Sequence, residues 1–595
     1  MNHLENYLRE LRDIRSSGAG VKETSYYGAL ANLLNEVGKT LKPKIRCTIN
    51  LRNQGAGIPD GGLFTADQFQ KADPAAPLEG TLPACGAIEV KGTGDDAGKI
   101  ADSEQVKKYL AKYGQVLVTN LRDFVLVGKD GTHLESYCLA PDEKSFWTAA
   151  ANPEALAKLY AERFTEYLKR VMLSNAPLEN PKDVAWFLAS YARDAKARIE
   201  LAPLDELAAI RSTLEEALGV KFEGEKGLRF FRSTLVQTLF YGVFSAWVLW
   251  CKSPAPCVAT SPRSVFDWYS SARYLRVPIL RKLFHLISEP GQLDELNLSE
   301  ALDWAAGALN RVNHQAFFAQ FNEGEAVQYF YEPFLEAFDP ELRKELGVWY
   351  TPIEIVKYMV ARVDTVLRTE LNRPDGLADP DVYVLDPCCG TGAYLVEVLH
   401  KIAETLQAKG DDALLAADLK KAAMERVFGF EILPAPFVVA HLQIGLLLQH
   451  LGATLDKKDD RAAIYLTNAL TGWEPPKTPK TKLLFAELEE ERDAAEHIKR
   501  DKPILVILGN PPYNGYAGLV VSEERDLSNA YRTTKLAPAP QGQGLNDLYV
   551  RFFRMAERRI AEMSQEGVVC FISNYSWLDR LSFTGMREKY LESFD

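Results

Sequence analysis

The run Ile504–Tyr513 (ILVILGNPPY) delivers Asn510, Pro511, Pro512 and Tyr513 at the end of an apolar strand. Neither proline donates to a ladder, and both stiffen the backbone, so the carbonyls of Asn510 and Pro511 are presented as acceptors. Further upstream, VYVLDPCCGTGAYLVEVLHKIAETL (residues 382–406) reads as an apolar strand ending at Asp386-Pro387, a tight turn holding Gly390 and Gly392, and an amphipathic helix that begins near Tyr394. Glycines at such a turn let the backbone approach a ligand, and the helix start offers unpaired amides to negative charge. The next apolar strand ends at Phe430-Glu431, which places a carboxylate at its carboxyl edge, where it can accept both hydroxyls of a ribose. A third run, Ala463 to Leu466, ends at Thr467-Asn468. The Asn468 amide suits an adenine edge, and it suits a turn almost as well.

A second constellation lies near the N-terminus. Pro59-Asp60 follows a strand and a Gly-rich turn, and Ile88-Glu89-Val90-Lys91 lies on the next apolar strand. Strand alternation puts Glu89 and Lys91 on one face. Two carboxylates and a lysine can bind Mg²⁺ and steer a water onto a phosphodiester. The helix from Glu104 to Lys112 then presents Gln105 and Tyr109 four residues apart, on one face of one turn.

These residues need scaffolds, and the chain is long enough for them. At 595 residues it exceeds one hydrophobic core, so two or three domains are expected, with the 47% hydrophobic and 25% charged composition of an ordinary globular protein. The pattern predicts an opening helix to about Val37, strands at Lys44–Leu51, Ala87–Val90 and Gln115–Val127, and a turn at Gly55–Gly62. From about Phe146 to Asn322 helical periodicity takes over, with turn clusters at Ser253–Ser264 and Glu289–Gly291. Near Asp379 apolar runs (VYVLD, RVFGFEI, AIYL, PILVILGN, GVVCFI) begin to alternate with helices, as a doubly wound parallel sheet requires. The expected organisation is α/β and multidomain: a small α/β unit over 1–145, a helical connector over 146–325 and a Rossmann-like domain over 326–595. Segments Glu474–Lys482 and Ala537–Gly544 read as Pro- and Gly-rich loops beside the site.

The formal net charge of -12 argues against a surface that binds nucleic acid throughout, and leaves room for a local basic cleft. Eight scattered cysteines without a CxxC pair read as reduced thiols. The longest apolar stretch, Leu239–Cys251, is too short to cross a bilayer and reads as a core helix. No signal peptide is legible at the start, so a cytoplasmic, membrane-free protein is expected.

DPCCGTG followed by GFE and NPPY resembles the amino-methyltransferases that modify adenine N6 in DNA. The stretch ELGVWYTPIEIV, residues 345–356, resembles the segment that in the gamma-class order precedes the glycine loop. The likeness spans roughly Tyr329 to Leu581. It implies S-adenosylmethionine as donor, held by Tyr350, Thr351, Pro352, Asp386, Pro387, Gly390, Gly392, Tyr394, Glu431 and Asn468. It further implies that Asn510 and Pro511 accept the hydrogens of an adenine amino group flipped out of duplex DNA while Tyr513 stacks on the base. Tyr394 stands where the family often has Phe, and Asn468 where Asp is common. Over about Glu23 to Val127 the ordered PD, ExK and QxxxY resemble the Mrr-like branch of the PD-(D/E)xK nucleases, which implies catalytic or Mg²⁺-binding roles for Asp60, Glu89, Lys91 and Gln105, with Glu23 as a further carboxylate on the preceding helix.

An ATP-driven motor needs a GxxxxGK[ST] phosphate loop, and the lone Gly38-Lys39-Thr40 has Leu33 where the first glycine belongs. The organisation therefore resembles type IIG restriction-modification enzymes, where one polypeptide methylates and cuts. The family fold continues beyond the helix near Phe583 with a final strand pair and a target-recognition domain, so recognition is expected from a separate domain or subunit. Two other readings stay open: a modification-only or defence-system DNA methyltransferase with a DNA-binding N-terminal scaffold, and a methyltransferase acting on protein or RNA amino groups.

Overall fold

Short apolar runs build two separate sheets. The computed structural model describes residues 2–595 except 22, 54, 70–77, 79, 177, 202–206, 219–220, 253–264, 272–273, 275–276, 278–280, 283, 285–295, 297, 322–329, 341–350, 411, 456, 458–459, 475–485, 514–523 and 525. It divides into two compact units, one of residues 1–179 with 310–313 and one of 180–309 with 314–595. The long helical segment is shared between them: helices Glu143–Ala150 and Pro153–Met172 lie in the first unit, and Pro181–Leu201 and Gly224–Lys252 in the second.

In the first unit six strands lie in chain order across one sheet: β1 (Ile45–Ile49), β2 (Gly61–Thr65), β3 (Ala87–Val90), β4 (Val116–Thr119), β5 (Asp123–Val127) and β6 (His133–Cys138). Neighbours are antiparallel except β3 and β4, whose parallel pairing needs a crossover. Helices Ala97–Ala101 and Glu104–Tyr113 supply it. Both strands of that pair are buried throughout. The expected single strand Gln115–Val127 is in fact a hairpin. Asn120 breaks it, because its side-chain oxygen accepts the amides of Arg122 and Asp123 while Leu121 takes a positive φ of 74°. Likewise the expected opening helix is two helices, His3–Ser16 and Tyr27–Gly38.

In the second unit five strands are all parallel: β7 (Tyr383–Asp386), β8 (Val427–Glu431), β9 (Ile464–Leu466), β10 (Ile504–Gly509) and β11 (Val568–Phe571), in the order β11-β10-β7-β8-β9. The chain winds outward from β7 first to one side and then to the other. The reversal leaves a crevice between the carboxyl ends of β7 and β10, the point at which doubly wound sheets bind ligands. Leu385, Phe428, Phe430, Ile504, Ile507 and Ile560 share one apolar core. The helix around Leu239–Cys251 runs from Gly224 to Lys252, longer than its apolar stretch suggests and long enough to cross a membrane by length and composition. Most of it is buried within the unit, with the Tyr241 and Phe334 rings 4.7 Å apart.

Candidate functional site

At the switch point, β7 ends on Asp386, which is fully buried. Its Oδ1 accepts the Cys388 amide at 3.1 Å, and its Oδ2 has no hydrogen-bond partner. Burial is the main reason its carboxyl is pushed up to about 8, with the Glu431 charge adding to the rise. Room for it comes from β10: a Cβ on Gly509 would lie 2.6 Å from Asp386 Oδ1.

The loop after Asp386 passes through buried Pro387 and two left-handed glycines, Gly390 at φ 53° and Gly392 at φ 91°. A Cβ on Gly392 would press on Ala440 at 3.2 Å, whereas one on Gly390 would meet nothing within 4 Å. The loop is pinned from three neighbours. The Gly390 amide donates to Glu431 Oε2 at 2.8 Å, the Cys389 amide to the Phe430 carbonyl at 2.9 Å, and Gln443 Nε2 to the Thr391 carbonyl at 2.6 Å. Glu431, at the end of β8, also accepts the amides of Ile432 and Leu433 through Oε1, at 2.9 and 2.8 Å. Burial pushes its carboxyl up to about 7. Helix Ala393–Ala408 starts directly from Gly392 with no side-chain cap. Tyr394 is buried in it, and the hydroxyl that distinguishes it from Phe donates to Met359 Sδ at 3.2 Å.

Asn510 follows the end of β10, the strand that pairs in parallel with β7. Its Nδ2 donates to Thr351 Oγ1 at 3.1 Å, and its Oδ1 accepts the Tyr513 hydroxyl at 2.8 Å. Pro511 is buried and Pro512 partly so. The Tyr513 ring packs toward Tyr549, with centroids 6.2 Å apart. Pro352 caps the helix Ile353–Thr369, and Tyr350 lies outside the described residues. Asn468 turns its Oδ1 inward to the Leu470 amide at 2.9 Å, which is the turn-forming role. Beside it buried Lys499 donates to Thr467 Oγ1 and to the Asn468 carbonyl, at 2.9 and 2.8 Å. The sequence pattern did not single out Lys499 or Gln443. Both are polar residues on apolar helix faces, a signal legible only once the face is known.

The first unit brings its own set together. Asp60 Oδ2 accepts the Val90 amide at 2.8 Å and Oδ1 the Tyr27 hydroxyl at 2.7 Å. The same hydroxyl lies 2.8 Å from Glu23 Oε1. Glu23 precedes helix Tyr27–Gly38 instead of lying on a helix, and Tyr27 is a further residue that sequence reasoning missed. Lys91 Nζ is 2.7 Å from Glu89, 3.8 Å from Glu23 and 3.9 Å from Asp60. Glu89 is only 6% exposed, and burial first, then the Asp60 charge, raises its pKa against the opposing pull of Lys91. Gln105 and Tyr109 do share a face. The Tyr109 hydroxyl donates to the Ile58 carbonyl at 2.8 Å, and a Cβ on Gly57 would lie 2.7 Å from Gln105 Nε2. The carboxylates thus converge on an ammonium. Among the described residues no group of three or more His, Cys, Asp or Glu that could hold a metal ion is found, and Lys91 occupies the space among these carboxylates.

The buried Asp386 yields a pH test of the geometry. A carboxyl whose pKa rises from 3.8 to about 8 on folding ionises more readily in the unfolded chain, so stability falls as pH climbs through that interval. Asp386→Asn keeps an oxygen for the Cys388 amide and cannot ionise. Its stability should match the wild type near pH 4 and exceed it by a few kcal/mol near pH 8, at about 1.4 kcal/mol per pH unit. Urea titrations across that range check this, and a gap that does not grow with pH contradicts it.

Known proteins place part of the chain. No curated protein matches it. A DrdV–DNA complex solved by cryo-EM aligns at a TM-score of 0.49 and 22% identity, covering 100% of this chain and 52% of that one. The ATP-dependent Type ISP restriction-modification enzyme LlaBIII bound to DNA aligns at a TM-score of 0.47 and 21% identity, over 76% of this chain and 27% of that one. The type IIG restriction endonuclease BpuSI gives a TM-score of 0.31 and 12% identity, over 95% and 53%. The chain therefore spans about half, or less, of the length of these proteins. Residues 323–571, which contain the glycine loop, Glu431 and Asn510, match the family described as N-6 DNA Methylase, and this part of the chain is an N-6 DNA methylase domain.

Proposed function

We propose that the chain is a restriction-modification polypeptide whose second unit transfers a methyl group from S-adenosylmethionine to adenine N6 in DNA, and whose first unit cuts unmodified DNA. One observation supports the methyltransferase half: Asn510 and the glycine loop follow the carboxyl ends of the neighbouring parallel strands β10 and β7, within the matched residues. The residues fit the donor. Asp386 Oδ2 is a buried oxygen without a partner, and the open side of Gly390 gives a ligand access to backbone. When bound, S-adenosylmethionine supplies an electrophilic methyl group. Asn510 Oδ1 and the Pro511 carbonyl accept the hydrogens of the target amine, which frees its lone pair for displacement. A base paired in a duplex cannot present that edge, so the adenine must flip.

Transfer of labelled methyl from the donor to DNA, RNA and protein, compared side by side, tests the reading. Label in DNA, with N6-methyladenine found on sequencing, supports it; label in RNA or protein alone overturns it. Glu431→Ala removes both a proposed ribose acceptor and the anchor of the Gly390 amide. Donor affinity measured by calorimetry should fall by about 10- to 100-fold, as expected for loss of hydrogen bonds to a charged group. Unchanged affinity would count against placing the donor here.

A modification-only reading has one observation in its favour. Glu23, Asp60 and Glu89 are already engaged by Lys91 and Tyr27, which is how a structural cluster is built. Incubation of unmethylated DNA with the protein, in Mg²⁺ and in chelator, separates the two readings.

A further inference from the structure

A carboxamide has two ends of nearly equal shape, and only hydrogen-bond partners decide which end faces a substrate. For Asn510 the choice is consequential, because an NH₂ turned toward an incoming amine would repel the hydrogens that the oxygen must accept. Thr351 sits 159 residues earlier, 8% exposed, and its Oγ1 takes the Nδ2 hydrogen at 3.1 Å. Pro352 follows it and restricts Thr351 to extended backbone, so the hydroxyl is delivered from a stiff position at the start of helix Ile353–Thr369. With Nδ2 committed there, Oδ1 is the end turned to Tyr513. An amide that donates on one side also becomes a stronger acceptor on the other. The resemblance places Thr351 beside the methyl donor; in the structure its hydroxyl accepts from the Asn510 amide.

We propose that Thr351 is a positioning residue for methyl transfer, whose hydroxyl holds the Asn510 amide with Oδ1 presented to a planar amino group. The inference rests on the methyltransferase reading above. It acts on the transfer step, which is read at saturating donor.

The test uses the full chain, with Thr351→Val to remove the hydroxyl at constant shape and Thr351→Ser to restore it. Donor affinity is measured by calorimetry, and the single-turnover rate of methyl transfer at saturating donor and DNA. Thr351→Val should slow transfer at saturating donor by about tenfold, the scale of one neutral hydrogen bond. Thr351→Ser should recover most of the rate. Transfer by Thr351→Val at the wild-type rate, a loss confined to donor affinity, or a Thr351→Ser protein as slow as Thr351→Val each overturns the proposal. Should Thr351→Val not fold, Thr351→Ala carries the same comparison. A wild-type protein that transfers no methyl to DNA defeats the parent reading; an active wild type with an equally active Thr351→Val defeats only the positioning role.

Discussion

Asn510→Ala is expected to slow methyl transfer by on the order of 10²-fold or more while donor binding survives. The amide does two things that alanine cannot: it accepts at Oδ1, and it is held there from both ends by Thr351 and Tyr513. The lone pair of an exocyclic amine is drawn into the purine ring, so losing one preorganised acceptor removes stabilisation that appears mainly in the transition state. Donor binding should be spared, because no hydrogen bond of Asn510 reaches Gly390, Glu431 or Asp386. The Tyr513 hydroxyl already sits on Oδ1, and a carbonyl oxygen has a second lone pair for the incoming amine. Rapid-quench rates at saturating donor, paired with calorimetry, decide the matter. A full rate in Asn510→Ala would remove the acceptor assignment.

Lys91→Ala and Asp60→Ala should each abolish DNA cleavage and leave methyl transfer at the wild-type level. Lys91 is the cation on which Glu23, Asp60 and Glu89 converge, and it is the positive charge available to meet a phosphodiester gaining negative charge. Removing it leaves the buried Glu89 carboxylate without its nearest counter-charge. Asp60 ties that strand to Tyr27 through the Val90 amide, so its loss lets the cluster open. Methyl transfer is untouched because the glycine loop, Glu431 and Asn510 belong to the other compact unit. Both activities should be assayed on one preparation. Cleavage that persists in Asp60→Ala gives the first unit to the modification-only reading.

Legibility followed the range of the interactions concerned. Strand and loop positions around VYVLDPCCGTG, GFE and ILVILGNPPY were set by local chemistry: runs of apolar residues for a sheet buried on both faces, and glycines where φ must be positive, as at Gly390 and Gly392. The parallel sheet and the nearness of Glu431 to the glycine loop follow from that alternation. Contacts with sequence-distant partners were not legible. Nor was the outcome of some local competition: of the two roles open to Asn468, a ligand edge or a turn, its oxygen takes the turn by accepting the Leu470 amide two residues on. The expected strand Gln115–Val127 turned back at Asn120 for the same kind of reason.

By itself, the sequence determined which residues could do chemistry, and on which strand ends they stand, since spacing along a strand or helix is a property of the local chain. Only the tertiary structure decided what those residues touch. Thr351 reaches Asn510 across 159 residues, Gly509 makes room for Asp386 on the neighbouring strand, Tyr27 holds Asp60 from 33 residues away, and Lys91 occupies the centre of the carboxylates expected to hold a metal. Partners of this kind are chosen by packing and by the need to satisfy buried polar atoms, and both arise only when distant segments have been brought together.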